Sequence, residues 1–240
     1  MLLEGVDLSL EAGTTTAVLG RSGSGKTTLL RMVNRLLEPT SGTVLVGGAA
    51  TTATDPIRLR RGIGYVIQET GLFPHFTIER NIGLVPELEG QPKDVIRARV
   101  DEMLRLVGLT EGNLEKRYPH QLSGGQRQRV GLARALAANP PNLLMDEPFG
   151  ALDPLTRAEM QEMLRDLLGR LKKTVLLVTH DLDEALFLAS RIVLVERGRL
   201  AADLASDEFS RSDTPSVREY VRIFRRRDPD QNAGREAACS

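Results

Sequence analysis

Residues Gly20, Arg21, Ser22, Gly23, Ser24, Gly25, Lys26 and Thr27 follow the spacing G-x-x-x-x-G-K-T. An apolar run, Thr15 to Leu19, precedes them and a helical pattern begins near Lys26. Glycines let the backbone curl so that successive N–H groups point inward at phosphate oxygens. The helix start adds its positive dipole end. Lys26 sets an ammonium against the β- and γ-phosphates, the Thr27 hydroxyl is a ligand for Mg²⁺, and Thr28 adjoins the set. Such a loop between strand and helix predicts nucleotide triphosphate binding.

A second group lies about 120 residues on, at Asn142-Leu143-Leu144-Met145-Asp146-Glu147. An apolar strand ending in two carboxylates divides their work: Asp146 holds Mg²⁺ directly or through water, and Glu147 polarises a water. A third group, Leu122-Ser123-Gly124-Gly125-Gln126, opens a helix. Ser123 is its predicted cap, and the glycines let a phosphate reach the backbone N–H groups. One phosphate site does not need two phosphate-binding helix starts. The pair therefore predicts that two copies of the chain share each nucleotide, the loop of one facing Ser123-Gly124-Gly125-Gln126 of the other.

The elements that must position these groups are legible as periodicity. Thr15 to Leu19, Thr43 to Val46, Gly64 to Ile67, Asn142 to Met145, Thr174 to Val178 and Ile192 to Val195 read as strands. Helical patterns run from Lys26 to about Leu37, from Asp94 to Val107, from Ser123 to about Ala138, and along the stripe Met160, Met163, Leu164, Leu167, Leu168 and Leu171. Strands alternating with helices predict an α/β fold, a parallel sheet covered on both faces. The helical stretch, roughly 75–138, reads as an insertion into that core. After about residue 205 the chain turns polar and Arg-rich. Val217, Tyr220, Val221 and Phe224, at helical spacing, predict one docked helix. Arg225-Arg226-Arg227 reads as a solvated surface, or else as an anionic-lipid or RNA contact.

Composition bounds the rest. The 240 residues carry 41% hydrophobic and 27% charged side chains, ordinary for a globular chain. Lys plus Arg and Asp plus Glu are both 32, so the net charge is zero and composition gives no support for nucleic acid as the main partner. Cys239 stands alone, which excludes an internal disulfide and fits a reducing compartment. No apolar run approaches the roughly 18–20 residues of a membrane span, and no basic, apolar leader opens the chain.

Together the motifs resemble the ABC ATPases. LSGGQ at 122–126 matches that family's signature, and the order P-loop, Gln68, LSGGQ, LLMDEP, Ala151-Leu152-Asp153, His180 matches it over residues 2–205. The resemblance implies a P-loop NTPase core, a RecA-like parallel sheet at 1–74 and 139–205. A helical subdomain at 75–138, a partial N-terminal antiparallel edge and a short C-terminal extension at 206–240 complete the expected organisation. It implies that Gln68 touches Mg²⁺ and the attacking water, that Asp153 crosses a dimer interface, and that His180 contacts the γ-phosphate. Catalysis would rest on Glu147, His180 and Gln68, and the metal on Thr27, Gln68 and Asp146.

About 55 residues separate Gln68 from Ser123, too few for the coiled coil of chromosome-maintenance relatives, and the Cys pairs of excision-repair zinc inserts are missing. An unfused cassette is similar to the ATPase subunit of a bacterial importer. That implies a second copy of the chain, membrane-spanning permease subunits and, indirectly, an extracytoplasmic solute-binding protein, with the chain peripheral at the cytoplasmic membrane face. The stretch Gly64 to Ile78, with Asn81-Ile82 and Val85-Pro86, resembles the glycine betaine/carnitine/choline uptake ATPases. Alternatives are an importer ATPase for a polyamine, sulfate, molybdate or amino acid, or a soluble ABC ATPase acting on nucleic acid. Leu72, Phe73 and Phe76 are candidate permease contacts, or else core residues. Two departures stand out. The family stacks adenine on an aromatic upstream of the P-loop, whereas residues 1–25 hold no Phe, Tyr, Trp or His, so weak ATP affinity or unstacked adenine is expected. The chain also runs about 35 residues past residue 205, so the C-terminal regulatory modules of many osmoprotectant ATPases are expected to be absent or supplied elsewhere.

Overall fold

The computed structural model describes residues 3–227. In chain order the elements are β1 (Thr15–Leu19), α1 (Lys26–Val33), β2 (Leu45–Val46), β3 (Ala49–Ala50), α2 (Pro56–Arg61), β4 (Ile63–Val66), α3 (Ile78–Leu88), α4 (Lys93–Leu106) and α5 (Gly124–Ala137). There follow β5 (Asn142–Asp146), α6 (Pro154–Leu171), β6 (Thr174–Val178), α7 (Leu182–Leu188), β7 (Arg191–Glu196), β8 (Arg199–Ala205), α8 (Ser206–Phe209) and α9 (Pro215–Arg227).

The main sheet has six strands in the order β4-β5-β6-β1-β7-β8. All neighbours pair in parallel except β7 and β8. Parallel strands are covered on both faces and so read as unbroken apolar runs. Alternation sorts their side chains. Leu143, Met145, Val175 and Leu177 face α5 and α6, with Val130, Met160, Leu164 and Leu167. Leu144, Leu176, Val178, Val18 and Val193 face the other layer, with Leu30 of α1 and Leu59 of α2. Ala17, Leu19, Ile192 and Leu194 pack under α7, α8 and α9. Each large apolar side chain buried this way contributes roughly 2 kcal/mol by leaving water. The helices α3, α4 and α5 pack on one another and join the first of these clusters.

The structure departs from the periodicity in particular places. The first helix stops at Val33 and not near Leu37: Asn34 caps it, Arg35 takes φ 53°, and Leu36 and Leu37 N–H fold back to Arg31 O. The expected strand at Thr43 to Val46 shrinks to Leu45–Val46, hairpinned onto Ala49–Ala50. Gly47 and Gly48, with φ 59° and 80°, supply the left-handed pair that a two-residue hairpin requires. The strand near Gly64 runs one residue earlier, Ile63–Val66. A Cβ on Gly64 would sit 2.5 Å from Ala135 O, so glycine lets α5 lie against β4. The antiparallel edge of the main sheet is built by β8 and not by the N-terminus. Residues 3–14 form no strand, and Glu4 N–H bonds to Gly198 O beside β8. Residues set apart as an extension also join the body: Phe209, Val217 and Val221 are buried against β1 and β7. Cys239 lies outside the described residues, and the side chains of Arg226 and Arg227 are likewise not described, whereas Arg225 is exposed.

Candidate functional site

Four neighbouring parallel strands, β4, β5, β6 and β1, end at one edge of the sheet, so the loops after them meet there. The carboxyl edge of a parallel sheet is where α/β proteins bind ligands. The predicted groups follow from it in order: Gln68 after β4, Asp146 and Glu147 at the end of β5, His180 after β6, and Gly20 to Gly25 after β1.

The loop at Gly20 to Gly25 needs its glycines. Gly23 and Gly25 take φ 77° and 109°, left-handed values that favour glycine. A Cβ on Gly20 would lie 2.4 Å from Val195 O and 2.6 Å from Ser24 Oγ. Lys26 is buried and donates from Nζ to Gly20 O (2.8 Å) and Arg21 O (3.0 Å), so its ammonium is held inside the curl. Burial pulls this ammonium down from its ordinary value, and the charges of Glu147 and Asp146 oppose that. Gly25 precedes α1 with no side-chain cap on the helix, which leaves the first N–H groups directed at the loop.

Asp146 is buried at the tip of β5, and Thr27 Oγ1 donates to its Oδ1 at 3.1 Å. Desolvation pushes the Asp146 carboxyl up, against the pull of the Thr27 bond. A hydroxyl and a desolvated carboxylate side by side are the hard oxygen donors that Mg²⁺ takes beside phosphates and water. No cluster of three His, Cys, Asp or Glu side chains able to hold a metal exists among the described residues. Glu147 turns the chain at φ 45°, a conformation that costs a non-glycine residue on the order of 1 kcal/mol. Its backbone N–H is fixed to Val178 O at 2.8 Å. Gln68 Nε2 donates to Glu147 Oε2 at 3.4 Å, and His180 Nδ1 lies 3.3 Å from the same oxygen. Two side chains from two other loops therefore meet on one carboxylate oxygen of Glu147.

Ser123, Gly124, Gly125 and Gln126 form the start of α5. Ser123 Oγ accepts from Gln126 N–H, and Gln126 Oε1 accepts from Ser123 N–H, a closed capping box. Ser123 stays exposed, and its hydroxyl proton remains available to an anion. Gly125 is buried against α6, where a Cβ would meet Thr156 Cγ2 at 2.6 Å. Asp153 is the N-cap of α6, accepting from Thr156 N–H at 3.1 Å, and bonding to Thr156 holds its carboxyl below its usual value. The signature turn and the Asp153 turn thus lie side by side on one face.

Several positioning residues escaped the sequence reading. Arg134 of α5 donates to Gly71 O (2.6 Å) and Thr70 O (2.8 Å), tying the helix that carries Ser123 to the loop that carries Gln68. Asn81 is fully buried, accepts from Phe73 N–H, and donates to the carbonyls of Phe73, Phe76 and Thr77. It fixes the loop holding the candidate permease contacts. There Phe73 is exposed, Phe76 is half-buried under the Arg80 guanidinium, and Leu72 packs into the core. Arg134 acts across 63 and 64 residues of chain, and Asn81 on the carbonyls of an irregular loop four to eight residues before it, neither of which an apolar period reports.

Glu184 is the buried acid beside this site. Burial first, then the charges of Asp181 and Glu147, push its carboxyl up to about 8 from 4.5, against Thr179 and Arg157. Between those pH values the folded chain keeps a proton that the unfolded chain has released. Stability therefore falls as pH rises through that window, by on the order of a few kcal/mol in all. Urea denaturation at pH 5 and pH 8 should show this slope in the wild type and a much flatter one in Glu184→Gln. Identical slopes would contradict the buried, protonated acid.

A family model described as ABC transporter matches residues 3–150. The chain is 50% identical over 219 residues to the glycine betaine/carnitine/choline transport ATP-binding protein OpuCA of Bacillus subtilis, covering 91% of this chain and 57% of that protein. It is 48% identical over 206 residues to the osmoprotectant import ATP-binding protein OsmV of Salmonella typhimurium, covering 86% of this chain and 54% of that protein. The chain thus spans little more than half the length of these curated relatives. Among solved structures, the ATP-binding cassette MJ0796 in a dimeric post-hydrolysis state, bound to ADP and Pi, is similar with TM-score 0.76 and 35% identity over 85% of this chain and 90% of that one. No helix among the described residues is long and apolar enough to cross a membrane. By the match across residues 3–150, the chain belongs to the ABC transporter family.

Proposed function

We propose that the chain hydrolyses ATP to power a membrane importer of osmoprotectants, quaternary amines such as glycine betaine. The observation that carries the reading is the meeting of Gln68 and His180 on Glu147 Oε2, beside a P-loop whose lysine is held in place. The identity to OpuCA and OsmV supports the solute class.

Catalysis of phosphoryl transfer is mostly positioning and electrostatics. The amides of Gly20 to Gly25, Lys26, Thr27 and Thr28 hold the phosphates. Glu147 orients and deprotonates the water, Gln68 steadies it, and His180 faces the γ-phosphate. Mg²⁺, bound by Thr27 and Asp146 with Gln68 near it, would neutralise charge on the phosphate oxygens. Ser123, Gly124, Gly125 and Gln126 of a second copy close the site, and Asp153 lies in that interface. Permease subunits dock at the Phe73 and Phe76 surface and connect the chain to an extracytoplasmic binding protein. The chain then works at the cytoplasmic face of the membrane as a peripheral subunit.

The test is reconstitution in vesicles with permease subunits and a solute-binding protein that co-purify with the chain. ATP- and Mg²⁺-dependent uptake of glycine betaine is expected. Uptake of sulfate instead would overturn the solute, and DNA-stimulated hydrolysis without any transport would overturn the importer.

A further inference from the structure

The tail helix α9 reaches the site in a way that its amphipathic pattern does not announce. Val217 and Val221 are buried, with Phe224 packed beside them, against Ala17, Leu19, Ile192 and Leu194. Ser216 Oγ donates to Glu196 Oε2 at 2.9 Å and secures the first turn. This anchorage aims one flank of the helix at the sheet edge, across a cavity of about 310 Å³ shared with Ser22, Arg197, Glu219 and Tyr220. From that flank Glu219 pairs with Arg21 at the P-loop (3.1 Å), and Tyr220 Oη donates to His180 O (3.0 Å).

The two contacts differ in weight. Arg21 and Glu219 are both more than half exposed in their side chains, so water and salt screen their attraction. The Tyr220 bond acts on the peptide of a residue that faces Glu147. The other end of that peptide unit is held as well, Asp181 N–H bonding to Thr179 Oγ1 at 3.1 Å, and one residue earlier Thr179 N–H bonds to Val18 O at 3.2 Å. The phenol takes the carbonyl between them. With that carbonyl fixed, the swing of the peptide, which would carry the imidazole away from Glu147 Oε2, is restrained.

We propose that Tyr220 is a positioning residue for phosphoryl transfer, holding the His180 peptide from the tail helix so that the imidazole stays on the Glu147 side of the site. The proposal rests on the reading of His180 given above. It assigns to α9 a part in turnover, carried by a hydroxyl and not by the apolar stripe that docks the helix.

Tyr220→Phe keeps the ring and removes only the hydroxyl. In the full chain, with Mg²⁺-ATP, kcat should fall about three- to tenfold, the effect of one lost hydrogen bond. The KM for ATP should stay within about twofold, and the melting temperature should fall by no more than the roughly 2–4 °C that one hydrogen bond of about 1 kcal/mol carries. On a His180→Ala background, measured against its residual rate, the same substitution should cost nothing further, because the imidazole that the bond positions is gone. Wild-type kcat in Tyr220→Phe, with His180→Ala slowed to a residual rate, overturns this proposal alone. An equal loss on both backgrounds, or a fall in melting temperature of about ten degrees or more that a single hydrogen bond does not account for, also overturns it. Wild-type turnover in His180→Ala overturns the reading of His180, and the proposal falls with it.

Discussion

Glu147→Gln should lower kcat by roughly 10²- to 10³-fold while leaving ATP binding intact, measured as phosphate release beside nucleotide retained on the protein. The expectation comes from where Glu147 stands. Its backbone is pinned to Val178 O in a left-handed turn, and its Oε2 is the point on which Gln68 and His180 converge. The amide keeps the size and the contact to Gln68 but cannot take a proton from water. In the proposed function the phosphates are held elsewhere, by the loop around Lys26 and the start of α1, which this substitution does not touch. Turnover at the wild-type rate would remove the carboxylate from the mechanism.

Ser123→Arg should abolish hydrolysis without weakening nucleotide binding to the P-loop of the same chain. The guanidinium would fill the exposed start of α5 from which a second copy is closed. Loss of the cap costs the helix about 1 kcal/mol, so a melting curve serves as the control. Mixing resolves the geometry. Protomers carrying Ser123→Arg and protomers carrying Lys26→Ala are each inactive alone. In a mixed dimer the intact P-loop of the first faces the intact signature turn of the second. Equal mixing should restore up to about one quarter of the wild-type rate, since half the dimers are mixed and each has one good site. No restoration would place Ser123 in its own chain's site and not in a partner's.

The sequence and the structure agree best where local chemistry and position coincide. The strand end, the curl and the helix start carry their glycines and lysine in one run, so β1, the loop and the start of α1 are readable at Gly20 to Thr27. Asp146 and Glu147 are readable because a buried strand has few reasons to end in two acids. The Ser123 box is readable because Gln126 stands three residues on. What escaped is of two kinds. The end of α1 depends on Arg35 turning left-handed and on Arg31 O receiving two N–H groups, which no apolar period reports. Arg134, Asn81 and Tyr220 act by hydrogen bonds to backbone carbonyls of distant or irregular loops. A carbonyl is the same in every residue, so the sequence holds no mark of the acceptor. The tail shows the difference plainly: the docking face of α9 was legible as Val217, Tyr220, Val221 and Phe224, whereas what the Tyr220 hydroxyl touches was not.

The central claim is that two copies of this polypeptide enclose each nucleotide. Light scattering of the Glu147→Gln chain with Mg²⁺ and ATP tests it most directly. A particle of twice the 26.4 kDa chain mass is predicted, reverting to the single mass when ATP is withdrawn. A particle that stays at the single mass at saturating ATP, while the wild type hydrolyses at full rate under the same conditions, would contradict it.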